Sequence, residues 1–286
     1  MNKKADFRFL DRLRVRWAEV DMQKIVFNGH YLMYFDTAVA GYWRALAMPY
    51  HETMEHLQGD LFVRKATVEY LGSARYDDLC EVGIRCGRIG NSSMVFECSL
   101  FRGETLLVSG ELVYVFADPA TQTSRPVPAE LRAVLQAFEA GEPMFEVRTG
   151  SWDTLGRNAQ ALRTAVFVDE QKIPAELEWD AADASAMHAV AFNRFGLALA
   201  TGRWVDAEPG IAKVGRMAVV AALRGSGVGG AVLQALMQSA RDSGKHTVLL
   251  HAQASAVPFY LRAGYTADGA PFEEAGIVHQ AMTKAL

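Results

Sequence analysis

The strongest constraint on how this chain can fold is a change of rhythm at Gly141, Glu142 and Pro143. Upstream, a nearly unbroken apolar and aromatic run over 29–47 precedes four strand-like runs, at 62–70, 79–88, 94–101 and 106–117, and a short closing helix over 128–140. In the third run Met94, Phe96, Cys98 and Leu100 alternate with mixed neighbours, and the FRGET segment that follows carries the glycine of a hairpin turn. A helix that is apolar nearly all round has to be wrapped by other elements, and the antiparallel sheet that follows is the available wrapper. Downstream the order becomes helix 155–171, strands 188–193, 196–205 and 211–220, helix 227–242, strand 247–252, helix 255–263 and strand 277–283, which describes a mixed sheet flanked by helices. The expectation is an α+β chain of two domains, 1–140 and 141–286, and 286 residues suffice for two cores.

Composition narrows the chemistry. Half of the residues are hydrophobic and the net charge is −4, with no basic block interleaved with aromatics, so nucleic acid is not an expected partner. Three cysteines, Cys80, Cys86 and Cys98, are odd in number and lack metal-ligand pairing, which points to free thiols in a reducing compartment. The opening MNKKADFRFLDRLR is too charged for a signal-peptide core, and no apolar run approaches the roughly 20 residues of a membrane span. A cytoplasmic protein with no membrane partner is therefore expected. The hexapeptide HETMEH places His51 and His56 five apart, about 140° around a helix, so it misses the one-face spacing of a zinc site and no metal is expected.

Two segments carry chemistry. In VDMQKIVFNGHYL, Asp21 stands seven residues ahead of Asn28, a good N-cap, and the amides after it at Gly29, His30 and Tyr31 would form a partial positive charge. A thioester carbonyl resting there would have its developing oxyanion stabilised while the carboxylate attacks the carbon or activates water. The plainer alternative is that Asp21 caps a turn and Asn28 caps the helix. RVRWAEVD followed by IVFNGHYLMYFD resembles the 4-hydroxybenzoyl-CoA thioesterase branch of the hotdog superfamily over roughly residues 8–138. That resemblance implies a long helix wrapped by a sheet, Asp21 as nucleophile or general base, and subunits paired as a homodimer or homotetramer with sites at the subunit interface. Many members carry His where this chain has Asn28, while others carry Asn. Arg64, Lys65, Arg85 and Arg88 could meet the phosphates of CoA, but read more simply as a solvated strand edge.

In the second segment, the loop RGSGVG follows an apolar strand and precedes a helical pattern of Val232, Leu233, Leu236 and Met237. Glycines there let backbone amides approach a phosphate, and the helix dipole adds to the attraction. The order is neither the dinucleotide G-x-G-x-x-G nor a P-loop. It does resemble the R-x-x-G-x-G pyrophosphate loop of the GNAT acetyltransferase superfamily, met by Arg224, Gly227 and Gly229, and VFVDEQ, GRMAV, LHAQ, FYLRAGY and FEEAGIVH extend an ElaA-like match over about 145–286. The resemblance implies that Arg224, Gly225, Ser226, Gly227, Val228, Gly229 and Gly230 hold the CoA pyrophosphate. It also implies that Met217, Ala218 and Val219 line the pantetheine, that Gln253 lies beside CoA, and that Tyr260 protonates the departing thiolate. Glu170, Glu178, His251 and Glu273 are the candidate bases, with His251 the one that reads more readily as packing. The expected function is acyl-CoA hydrolysis in one half and acetyl transfer from acetyl-CoA to an amine in the other. The alternatives are an acetyltransferase whose first half only dimerises or senses acyl-CoA, and a regulatory CoA-binding protein.

Overall fold

The computed structural model describes residues 2–274 and 276–286. The chain divides into two compact units, Met1–Met144 and Phe145–Leu286.

The first unit contains β1 (Phe9–Arg14), α1 (Asn28–Ala45), α2 (Tyr50–His56), β2 (Asp60–Tyr70), β3 (Leu79–Ile89), β4 (Ser93–Arg102), β5 (Thr105–Ala117) and α3 (Ala129–Glu139). Its five strands form one sheet in the order β1-β3-β4-β5-β2, with every neighbouring pair antiparallel. Helix α1 packs on this sheet through Tyr31, Tyr34, Phe35, Ala38, Val39, Tyr42 and Trp43, a stripe at three- and four-residue spacing. The expected all-round burial is corrected here: Leu32 and Met33 on the opposite face are exposed, because the sheet covers one side of the helix only. HETMEH forms most of α2, where His51 is exposed and His56 meets Glu130 at 3.4 Å. The three cysteines are free, and burial pushes the Cys80 thiol up to about 11 and the Cys86 thiol up to about 12.

The second unit contains β6 (Phe145–Gly150), α4 (Trp152–Arg163), a π-helical segment (Thr164–Glu170), α5 (Ala175–Glu178), β7 (Met187–Asn193), β8 (Ala198–Glu208), β9 (Ile211–Val219), α6 (Val228–Asp242), β10 (Thr247–Gln253), α7 (Val257–Arg262), β11 (Thr266–Glu274) and β12 (Ile277–Ala285). Its sheet runs β11-β12-β10-β9-β8-β7-β6, antiparallel except between β9 and β10. The single helix expected over 155–171 is an α-helix that widens into a π-turn after Arg163. Val166 and Phe167 pack there on Ala218 of β9, and the Gln171 amide reaches back five residues to the Val166 carbonyl. No helix among the described residues is long and apolar enough to cross a membrane.

Candidate functional sites

In the first unit Asp21 is half-buried at the head of a tight loop. Its amide donates to the Ile25 carbonyl at 2.9 Å, the Lys24 amide donates back to the Asp21 carbonyl at 2.9 Å, and Oδ1 accepts the Gln23 amide at 2.7 Å. One carboxylate oxygen therefore caps the turn, and Oδ2 accepts no hydrogen bond among the described residues. The Tyr31 phenol is pushed above its usual value, chiefly by burial, with the Asp21 charge adding to the rise.

The helix start differs from the expected one. Phe27, not Asn28, is the N-cap residue, and no side chain caps the helix. The Phe27 amide is tied to the Glu19 carbonyl at 2.9 Å and its own carbonyl takes the His30 amide at 2.9 Å, so Asn28 already lies inside the helix. The expected group of donors narrows accordingly. The His30 amide is spent, Tyr31 is far enough along the helix for an ordinary i−4 bond, and Asn28 and Gly29 are the first-turn positions without an intrahelical acceptor. The Asn28 carbonyl accepts the Tyr70 hydroxyl at 3.2 Å.

Sequence reasoning missed the residue that holds this arrangement. Glu19 is 3% exposed and accepts the Tyr34 hydroxyl at 2.6 Å, the Arg16 amide at 2.7 Å and the Arg16 Nε at 2.6 Å. Burial pushes its carboxyl up, but the bonds from Tyr34 and Arg16 outweigh that and leave it below its ordinary value. The i,i+3 spacing of Arg16 and Glu19 was the available signal. Of the basic residues near the sheet, Arg85 is engaged with Glu97, and Arg64 and Lys65 lie exposed on β2, an edge strand.

In the second unit the decisive feature is a parting of strands. β9 and β10 pair in parallel only from Ile211 opposite Thr247 to Val214 opposite Leu250. Beyond that point β10 continues to Gln253 and β9 to Val219, each without the other. β9 also bulges where the gap opens: Arg203 pairs with Gly215 and Thr201 with Ala218, so Arg216 and Met217 together oppose Gly202. Arg216 takes a left-handed φ of 54°, a strain of about 1–3 kcal/mol for a non-glycine residue. The bulge turns the backbone at Met217–Val219 along the open edge, with Ala218 packed under Val166 and Phe167.

Ion pairs hold the strained residue. Arg216 Nη2 bonds Asp180 at 3.0 Å, and Nη1 lies 3.6 Å from Glu178. Glu178 and Asp183 are both buried against Arg163, which is 1% exposed, and Asp183 also pairs with Arg203. The Arg203 guanidinium holds the Asp180 carboxyl down to about 2. Glu178 is pushed up by burial in spite of Arg163. This network was not visible in the sequence, because its members are scattered over 163–216.

At the end of the gap stands the glycine loop. Gly225 and Gly227 have φ of 83° and 93°, conformations that side chains rarely adopt, and a Cβ at Gly229 would press on the Val219 side chain at 2.9 Å. The first regular bond of α6 is from the Ala231 amide to the Gly227 carbonyl at 3.0 Å, so Val228, Gly229 and Gly230 present amides with no intrahelical acceptor. Two members of the expected set are otherwise occupied. The Ser226 amide and hydroxyl both donate to the Leu223 carbonyl, at 3.1 and 2.6 Å. Arg224 forms a two-pronged pair with Glu170 at 2.7 and 2.6 Å, which ties the π-helical segment to the loop. The same pair, led by the Arg224 hydrogen bond, holds the Glu170 carboxyl below its ordinary range. Tyr260 on α7 is 7% exposed, packed against Phe259 and Tyr265, and burial pushes its phenol up to about 12, so the hydroxyl stays protonated at neutral pH. Gln253 donates to Gln171 at 3.0 Å. Among the described residues no group of three or more His, Cys, Asp or Glu side chains is placed to hold a metal ion.

Comparison with known proteins follows the same division. The thioesterase-superfamily description matches residues 23–109 and the acetyltransferase (GNAT) domain description matches 160–286. The uncharacterized N-acetyltransferase YjcF of Bacillus subtilis is 37% identical over 129 residues, which is 45% of this chain and 91% of that protein. The acyl-CoA thioester hydrolase YbgC of Escherichia coli O6:H1 is 28% identical over 125 residues, 42% of this chain and 90% of that protein. Among solved structures, the PA5185 protein from Pseudomonas aeruginosa strain PAO1 is 26% identical and covers 47% of this chain and 94% of its own, with a TM-score of 0.42.

Proposed function

Because the chain belongs to the GNAT acetyltransferases through its second unit and to the thioesterase superfamily through its first, we propose that it is a bifunctional CoA-thioester enzyme. The observation that carries the proposal is the parting of β9 and β10 with a glycine loop at its mouth. The pyrophosphate of acetyl-CoA rests on the amides of Gly225, Gly227, Val228, Gly229 and Gly230, where the α6 dipole favours negative charge. The pantetheine runs along Met217–Val219 in the place of the strand partner that β10 no longer supplies there, and the main chain of that segment polarises the acetyl carbonyl. A neutral amine attacks the carbonyl carbon, the C–S bond breaks, and Tyr260 gives its proton to the thiolate. Arg224 and Ser226 shape the loop rather than touch phosphate through their side chains.

In the first unit, Asp21 attacks or activates water against an acyl-CoA carbonyl held at the amides of Asn28 and Gly29. Exposed apolar side chains surround that segment, with Trp17 76% and Met22 100% exposed and Phe27, Tyr70, Tyr76 and Leu79 more than half exposed. A surface of that kind supports pairing of two chains there, as a homodimer or in a homotetramer. A second reading, an acetyltransferase with a non-catalytic first unit, is favoured by one detail, the Asp21 oxygen engaged by the Gln23 amide.

The test is a panel of acyl-CoAs incubated with the full chain, with and without primary amines, while free thiol is followed. Thiol release without amine supports hydrolysis, and further release with amine supports transfer. Transfer with no hydrolysis of any acyl-CoA selects the second reading.

A further inference from the structure

The proposed transfer needs a base to take a proton from the ammonium form of the acceptor, and the structure eliminates most of the candidates. Glu170 is bound through both oxygens to Arg224. Glu178 is 1% exposed and locked to Arg163. Glu273 pairs with Val278 and alternates with Phe272 and Glu274, so it points to the opposite face of the sheet from those two. His251 is left, and its setting is built rather than incidental. It is the first residue of β10 past the last position paired with β9, at the point where the gap opens. Its Nδ1 lies 3.2 Å from Glu274 Oε2, and its ring packs edge-on against Phe272 at 4.9 Å, which itself stacks on His279.

We propose that His251 is the general base of the acetyl transfer, with Glu274 as the positioning residue that fixes its tautomer; this rests on the acetyltransferase reading above. With Nδ1–H donated to Glu274, the Nε2 lone pair is the free one. The face is right for an acceptor. Gln253, two residues on, bonds Gln171 at the end of the π-helical segment, so His251 lies on that side of the sheet. Met217 and Leu236 crowd Gly202 on the other side, where α6 packs. Lys284, opposite Val248, donates to the Ala263 carbonyl just after α7, which puts the end of that helix on the face away from His251. Base and acid therefore flank the thioester from two sides. Nε2 takes one proton from the ammonium group, the nitrogen attacks the carbonyl carbon, and the C–S bond breaks. The sulfur leaves as a thiolate that is protonated by Tyr260, which is recharged by the second N–H proton. The imidazolium then releases its proton to water. The titratable groups facing His251 are Glu274 from β11, His279 from β12 and Lys213 from β9.

The experiment uses the full chain with acetyl-CoA and a primary-amine panel of spermidine, glucosamine, 4-aminobenzoate and a lysine peptide. His251→Gln is expected to lower kcat by about 10²-fold near neutral pH. Acetyl-CoA affinity by calorimetry should stay within about twofold, and the deficit should shrink as pH rises and the amine deprotonates unaided. Glu274→Gln should move the acid limb of the kcat profile to lower pH and Glu274→Asp restore it, a response that a packing role would not give. An unchanged kcat in His251→Gln, or a deficit equal at every pH, overturns the assignment. If the wild type binds acetyl-CoA but acetylates none of these amines, the acetyltransferase reading fails and this one with it; wild-type turnover distinguishes that outcome from the failure of His251 alone.

Discussion

At the scale of single residues, two side chains divide the proposed chemistry, and their surroundings differ as the two roles require. Asp21 keeps one oxygen unengaged at the rim of a loop, whereas Tyr260 is enclosed by Phe259 and Tyr265 and holds its proton. Asp21→Asn should abolish amine-independent thiol release, a loss of about 10²-fold or more, and leave amine-dependent release intact. Tyr260→Phe should do the reverse, slowing only the amine-dependent phase by about 10²-fold. Stopped-time thiol assays on both variants check the pair. Asp180 serves stability. Its folded carboxyl is held at about 2 by Arg203, below the ordinary 3.8, so its contribution is complete above the ordinary value and is lost as pH falls toward 2. Melting curves from pH 5 to 2.5 should accordingly fall less steeply for Asp180→Asn than for the wild type; equal slopes would remove Asp180 from the explanation.

At the scale of elements, the glycine loop and the bulge in β9 flank the gap in the sheet where acetyl-CoA is proposed to bind. Gly227→Ala puts a side chain at φ 93° without any steric neighbour, so its effect isolates the backbone conformation. It should weaken acetyl-CoA binding about tenfold, near 1.4 kcal/mol by calorimetry, while hydrolysis in the first unit is unaffected. The loop was legible from sequence because its chemistry is local: strand, glycines and helix follow one another without interruption between Ile211 and Asp242. Three strands were not. β1, β6 and β11 escaped detection, and each is the outermost strand of its sheet. An edge strand has one ladder partner and needs little apolar alternation, and β11 is exposed along almost its whole length. Glu274 was lost with β11, even though its motif was noticed, since its role depends on which face of that strand it occupies. The start of α1 was misplaced by one residue for a similar reason. Phe27 is fixed as N-cap by the Glu19 carbonyl, a contact eight residues away that cap propensity does not register.

At the scale of the whole molecule, two units of different architecture are proposed to take the same nucleotide-tailed thioester. The α+β organisation and both family memberships were legible in the sequence, the first from the change of rhythm near residue 141 and the second from motifs. The network of Arg163, Arg203 and Arg216 with Glu178, Asp180 and Asp183 was not, because no local spacing announces it, yet from a buried centre at Arg163, Glu178 and Asp183 it holds the strained residue beside the proposed acetyl site. The most direct test of the account is the stoichiometry of CoA binding to the full chain by isothermal titration calorimetry. Two molecules per chain are predicted, with Gly227→Ala weakening one class of site and leaving the other unchanged. A single site per chain, or two classes of site weakened equally by that substitution, would contradict it.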